Sequence, residues 1–170
     1  MAASPLIKFI EGYIAPSLDK WATESMIKVS FGFRPGRSIE DARMMLLDKL
    51  NAHRQQKTPA WVVFFDLVSA YDRVDRRILR DRLREYRVLD DTQIQLWEWL
   101  ATNLQVQLGD QAVATTNGIP QGSTLAPIMW NVYMMSLMIT LTTKFNQERV
   151  SPDQVADDLA AVTTSWYLCR

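Results

Sequence analysis

The chain's clearest pattern is a run with no alternation, Trp61-Val62-Val63-Phe64-Phe65. Five β-branched and aromatic residues in a row read as a short strand buried on both faces. The run ends on Asp66, so a carboxylate emerges where a central strand stops. On either side the spacing turns helical. Ser38 can cap a helix from Ile39 to about His53, with Glu40 and Asp41 in the first turn, where the dipole favours negative charge. A second helix is predicted from about Arg73 to Arg87, with Asp72 and Asp75 at its positive end. Its apolar side is Val74, Ile78, Leu79, Leu83 and Tyr86. Arg73, Arg76, Arg77, Arg80, Arg84 and Arg87 fall opposite, within about 100° at 3.6 residues per turn. A third helix spans Asp91 to Asn103. Gln105–Leu108 and Gln111–Ala114 bracket Gly109-Asp110 as a hairpin with a two-residue, Gly-first turn. Ser123 can cap a long helix from Thr124 to about Phe145. Residues 1 to 30 read as irregular to helical, broken by Pro5 and Pro16.

With 170 residues, 48 % hydrophobic and 22 % charged, the composition is that of one globular domain with a real core. Repeats, low-complexity tracts and linkers are absent, so the organisation is an N-terminal segment, 1–30, leading into a single body, 31–170. The apolar stretch Leu125 to Leu141 is interrupted by Asn131, Ser136 and Thr140. It reads as a buried helix and implies no membrane partner. Met1-Ala2-Ala3-Ser4-Pro5 lacks the basic start of a signal peptide. Cys169 is the only cysteine, which rules out an internal disulfide and fits an intracellular setting. His53 is the only histidine, which leaves Ser-His-Asp and zinc chemistry without support.

The net charge of zero argues against a nucleic-acid binder until it is resolved along the chain. Residues 34–87 hold 13 Lys/Arg against 8 Asp/Glu, and the rest holds 6 against 11. The basic part surrounds Asp66 and the acidic part carries a second carboxylate cluster. A solvated basic helix would produce the same split. Asp81 and Glu85 can pair with neighbouring arginines, and the arginine stripe is read in that way.

Three segments then fit together as chemistry. Phe64-Phe65-Asp66-Leu67-Val68-Ser69-Ala70-Tyr71-Asp72 ends an apolar run on a carboxylate. Gly118-Ile119-Pro120-Gln121-Gly122-Ser123 is a glycine-bracketed loop entering a helix. Val155-Ala156-Asp157-Asp158 sets two carboxylates side by side, 91 residues after Asp66. Hard divalent cations take carboxylate oxygens from rigid elements, and two such ions can clamp both oxygens of an in-line displacement. Taken singly, Asp157-Asp158 is also a plausible turn and Asp66 a strand-end cap.

In this order, and preceded by Phe33-Arg34-Pro35-Gly36-Arg37-Ser38, the segments resemble the motifs of reverse transcriptases. They are most similar to the non-LTR (LINE-type) retrotransposon branch, with group II intron enzymes sharing the Gly-Phe-Arg-Pro-Gly-Arg-Ser phrase. The resemblance runs from about residue 30 to 162 and makes 31–170 a partial fingers/palm domain. It implies an α/β (α+β) fold, a small mainly antiparallel sheet with helices packed on one face. The first segment would be its central strand, and the Thr124–Phe145 helix would cover the sheet. It also implies an RNA-directed DNA polymerase acting on RNA template, DNA primer and deoxynucleotides. Asp66 and Asp157 would bridge two Mg2+ ions (or Mn2+), with Asp158 in support and the Leu67 carbonyl as a further ligand. Tyr71 would stack under the incoming sugar and exclude a 2′-hydroxyl. Gln121 and Gly122 would contact the nucleotide and template, and Arg34 and Arg37 the phosphates.

The sequence departs from the family in three places. Val155 stands where an aromatic is usual. Ser151-Pro152-Asp153-Gln154 is a poor strand, since proline donates nothing to a ladder. The chain stops 12 residues after Asp158, before the family's motif D lysine, primer grip and thumb. A truncated enzyme is therefore expected, nearly silent by itself and served by a thumb or partner subunit; if it belongs to a retroelement, it would act in the nucleus. A non-catalytic remnant serving as a structural or RNA-binding module is the competing reading.

Overall fold

The computed structural model describes residues 5–26, 28–103, 105–108, 111–114, 117–120, 122–144, 150–156 and 158–163. In chain order the elements are α1 (Pro5–Glu24), α2 (Ile39–Gln55), β1 (Trp61–Asp66), a 3-10 turn (Tyr71–Arg73), α3 (Arg76–Glu85), α4 (Asp91–Thr102), β2 (Gln105–Leu108), β3 (Gln111–Ala114), α5 (Ala126–Lys144), β4 (Val150–Val155) and β5 (Asp158–Thr163). They fall into two compact units, Met1–Glu24 with Ser69–Tyr133, and Ser25–Val68 with Met134–Arg170.

The second unit holds a three-stranded antiparallel sheet of order β1-β5-β4. The middle strand is therefore β5, and the expectation that Trp61–Phe65 would be central is corrected. β4 and β5 are joined by a two-residue turn, and β1 adds to the far edge of β5, running from Trp61 opposite Thr163 to Asp66 opposite Asp158. Burial of β1 on both faces is corrected with it. Phe64 is 70 % exposed, Phe65 48 % and Trp61 41 %. An edge strand beside one neighbour can leave its rings uncovered, and apolar surface in water is permitted where nothing displaces it.

Ser151–Gln154 is part of a strand after all. Pro152 is tolerated because β4 forms the other edge of this sheet, where a missing donor breaks no essential rung. Part of that edge is covered by Val29–Phe31. Ser30 bridges Gln154 in parallel, the Gln154 N–H donates to the Val29 carbonyl at 2.8 Å, and the Phe31 N–H donates to the Gln154 carbonyl at 2.9 Å. α2 packs on β4 and β5. Its start is a capping box: the Asp41 N–H donates to the Ser38 hydroxyl, and the Ser38 N–H to the Asp41 carboxylate. Such a cap contributes about 1 kcal/mol.

In the first unit Pro16 lies inside α1, where a break was expected. Pro5 opens the helix, a position whose N–H has no intrahelical partner anyway. Ile10, Ile14, Leu18 and Trp21 make a buried stripe, and α1 packs on α4, whose Gln93 amide donates to the Ser17 hydroxyl at 2.8 Å. α3 is shorter than the spacing predicted. Val74 is extended (φ −63°, ψ 119°), which separates the 3-10 turn from the helix and lets Asp75 cap it. The chain leaves at Tyr86, with Arg87 left-handed at φ 52°. β2 and β3 pair as expected, from Gln105 opposite Ala114 to Leu108 opposite Gln111. α5 buries Met129, Trp130 and Val132 in this unit, and Met134, Met135 and Met138 in the second. Among the described residues no helix is long and apolar enough to cross a membrane.

Candidate active site

In the second unit, β1 and β5 bring two carboxylates together. Asp66 and Asp158 are opposite residues of an antiparallel pair, so they share a face with their Cβ atoms about 4.5–5.5 Å apart. Both are exposed. Like charges placed so are mutually repulsive, and a cation between them relieves the repulsion. As donors the two fit a hard divalent ion, which takes carboxylate oxygens and keeps several waters. Among the described residues no three Asp, Glu, His or Cys side chains form a metal-binding group. Asp157 lies outside them.

The turn between β4 and β5 explains how the carboxylates are presented. With Val155 opposite Asp158, the loop is Ala156-Asp157 alone. Two-residue hairpins favour left-handed conformations because these match the twist of the strands. Ala156 has φ 54°, a region that costs a residue with a Cβ about 1–3 kcal/mol. The Gln154 amide bonds across this turn, donating to the Ala156 carbonyl at 3.0 Å and accepting from the Ser30 hydroxyl at 3.1 Å. Gln154 itself is buried.

Gly32 lies against the same turn. A Cβ built on it would stand 2.2 Å from the Ala156 nitrogen and 2.9 Å from its Cα, so no other residue fits without moving the backbone. Two residues on, Arg34-Pro35-Gly36-Arg37 closes a tight turn, the Arg37 N–H donating to the Arg34 carbonyl at 3.2 Å. Proline at the second position and Gly36 at φ 70° at the third are the type II requirements. The turn sets Arg34 and Arg37 at its two ends. Burial lowers the Arg34 pKa, and the charge of Arg37 lowers it further, so an anion between them would be favoured. The Arg37 guanidinium lies 5.6 Å from the centre of the Phe31 ring.

In the first unit, Tyr71 and the Gly118–Gly122 loop are held together. The Ile119 N–H donates to the Tyr71 carbonyl at 2.9 Å and the Gly118 N–H to the Val74 carbonyl at 2.8 Å. Gly118, at φ 88°, sits so close that a Cβ would be 3.1 Å from the Asp72 Cα. The Tyr71 ring packs 5.7 Å from Trp130. Arg76 donates to the Gly118 carbonyl at 2.8 Å and the Ala101 carbonyl at 2.7 Å, and burial lowers its pKa. Buried Glu11 of α1 accepts from the Ser123 hydroxyl at 2.5 Å and the Thr124 hydroxyl at 3.2 Å.

The chain matches the family described as reverse transcriptase (RNA-dependent DNA polymerase) over residues 2–167. It belongs to that family. A reverse transcriptase-like protein of Chlamydomonas reinhardtii is 30 % identical over 109 residues, 64 % of this chain and 28 % of that protein. The putative 115 kDa protein in type-1 retrotransposable element R1DM of Drosophila melanogaster is 30 % identical over 112 residues, 64 % of this chain and 10 % of that protein. The chain thus spans a minor part of the length of both relatives. Its fold is similar to apo telomerase from Candida tropicalis truncated from the C-terminal domain, with a TM-score of 0.63 at 15 % identity, over 96 % of this chain and 35 % of the other.

The residues singled out in the sequence are distributed between the units. Asp66, Leu67, Asp158, Arg34 and Arg37 lie in the second unit, Tyr71 and Gly122 in the first. Gln121, like Asp157, lies outside the described residues. Gly122 has φ 87° and a Cβ there would meet nothing within 4 Å, so what favours glycine is conformation. Three arginines of the stripe form ion pairs at the surface, Arg77 with Asp75, Arg80 with Asp81 and Glu98, and Arg84 with Asp91, while Arg82 takes Glu85. Four residues were missed: Gly32, Gln154, Arg76 and Glu11. Gly32 had a signal, as it leads into Phe33-Arg34-Pro35. Glu11 had none, being 112 residues from the hydroxyl it holds.

Proposed function

We propose that this chain is the fingers/palm core of an RNA-directed DNA polymerase that joins deoxynucleotides to a primer on an RNA template. The observation that carries the reading is the cross-strand pair Asp66 and Asp158, set beside a two-residue turn that would add Asp157. With the Leu67 carbonyl these carboxylates would hold magnesium, or manganese in its place. When bound, such an ion would lower the pKa of the primer hydroxyl and offset charge on the leaving pyrophosphate. Arg34 and Arg37 would bind the triphosphate with charge-assisted hydrogen bonds. Tyr71, braced by Trp130, would carry the sugar and turn away a 2′-hydroxyl by collision. Gln121 and Gly122 would line the base pair. Positioning of this kind supplies most of phosphoryl-transfer catalysis.

Primer extension on an RNA template, with deoxynucleotides and Mg2+ or Mn2+ at low salt, tests the proposal. Asp66→Asn and Asp158→Asn should each reduce extension on the order of 10²–10³-fold, as loss of one charge-stabilising group does. Tyr71→Ala should admit ribonucleotides. Because the chain by itself is expected to be nearly silent, the assay is run with the thumb of a related enzyme fused to it: extension that persists in Asp158→Asn, or none by the wild-type fusion, would overturn the reading.

A further inference from the structure

We infer that Gln154 is a positioning residue that fastens the arginine turn and the aspartate turn into one piece, and so sets the metal affinity of the carboxylates. The inference rests on the metal-site reading above and adds a residue to it. The observations all lie within the second unit. Val29–Phe31 pairs along the outer edge of β4 at Gln154, both of whose backbone groups are used. The Gln154 side chain then makes two bonds of opposite sense, accepting from Ser30 and donating to the Ala156 carbonyl. Gly32, in the next turn of the same segment, presses on Ala156. Arg34 begins two residues after Gly32, and Asp157 directly follows Ala156.

The chemistry asks for a primary amide. Glutamate would keep the bond from Ser30 but has nothing to donate to the Ala156 carbonyl. Methionine would fill the same space and make neither bond. The register of β4 on β5 is already fixed by their own ladder, so the amide is not needed to form the hairpin. What it constrains is the left-handed residue at the tip, Ala156, two residues before Asp158.

Mn2+ titration followed by the electron paramagnetic resonance of the free ion tests this without any need for turnover. Four proteins are compared: wild type, Gln154→Met, Asp158→Asn and Val162→Ala. Val162 is buried in β5 at 1 % exposure, so its truncation destabilises the same sheet without touching the latch. Gln154→Met should weaken Mn2+ binding on the order of tenfold, the usual effect of losing a group that orients a ligand. Val162→Ala should melt earlier yet bind Mn2+ as wild type does. Unchanged Mn2+ affinity in Gln154→Met, or an equal loss in Val162→Ala, would overturn the inference while Asp158→Asn still reported the site. Equal binding by wild type and Asp158→Asn, or none by wild type, would overturn the site reading and the inference together.

Discussion

A methyl group on Gly32 would stand 2.2 Å from the Ala156 nitrogen, and the two turns it separates have no slack to take it up. Gly32→Ala should lower stability by about 1–3 kcal/mol, the range for forcing an extra carbon into a packed site. A urea unfolding midpoint equal to wild type would show that the backbone gives way instead. Asp75 offers a second test on one side chain. Hydrogen bonds from the Arg77 side chain, then from its backbone N–H, hold the Asp75 carboxyl down at about 2. A carboxyl lowered on folding stabilises fully above its unfolded value and loses that contribution as pH falls through the folded one. Melting temperature should therefore drop between about pH 4 and pH 2, and Asp75→Asn should flatten that part of the profile. A profile unchanged by the substitution would remove Asp75 from the cap.

At the scale of elements, α2 is tied to β4 by Lys49, whose ammonium reaches the Asp153 carboxylate at 2.5 Å. Burial raises the Asp153 pKa, and Lys49 opposes the rise through a hydrogen bond and its charge. With its folded value raised, Asp153 subtracts stability as pH climbs past its unfolded value. Lys49→Met removes the opposing charge, so it should lose more stability at neutral pH than below about pH 4. Equal losses at both pH values would show that the pair is not coupled. Glu11 ties α1 to the Ser123 loop in a comparable way. Glu11→Ala should cost about 1–3 kcal/mol, for two hydroxyls left short of a partner, as read by thermal or urea unfolding. The sequence disclosed α2 to α5 and the β2–β3 hairpin because their signals are local: Ser38 before Ile39, or Gly109-Asp110 between two short runs. The order β1-β5-β4 was hidden, since a five-residue apolar run reads the same in the middle of a sheet as at its edge. The residues proposed for the reaction could be picked out because each sits in a contiguous phrase. Gln154 and Glu11 were not, because their partners are 124 and 112 residues away and nothing in an isolated glutamine or glutamate announces a distant hydroxyl.

Over the whole molecule, the basic stretch 34–87 and the acidic remainder cancel in the sum, so the RNA binding proposed above should depend on local phosphate contacts and weaken steeply with salt. Each phosphate held contributes about 0.7–0.9 to the slope of log K against log salt. Arg34→Ala should reduce that slope by roughly one such contact, and Arg77→Ala, whose guanidinium is engaged by Asp75, should leave it unchanged. Filter binding across a salt series reads both. The bare side of β1 has a different consequence, one of handling. A strand at the rim of a sheet, with Trp61, Phe64 and Phe65 in water, is a template on which another copy can zip up. Purified at high concentration, this chain should form reversible oligomers that grow with concentration and shrink in dilute protein. Phe64→Lys, at the most exposed of the three rings, should hold it monomeric in sedimentation experiments, because a lysine ammonium cannot be stacked between paired strands without losing its water.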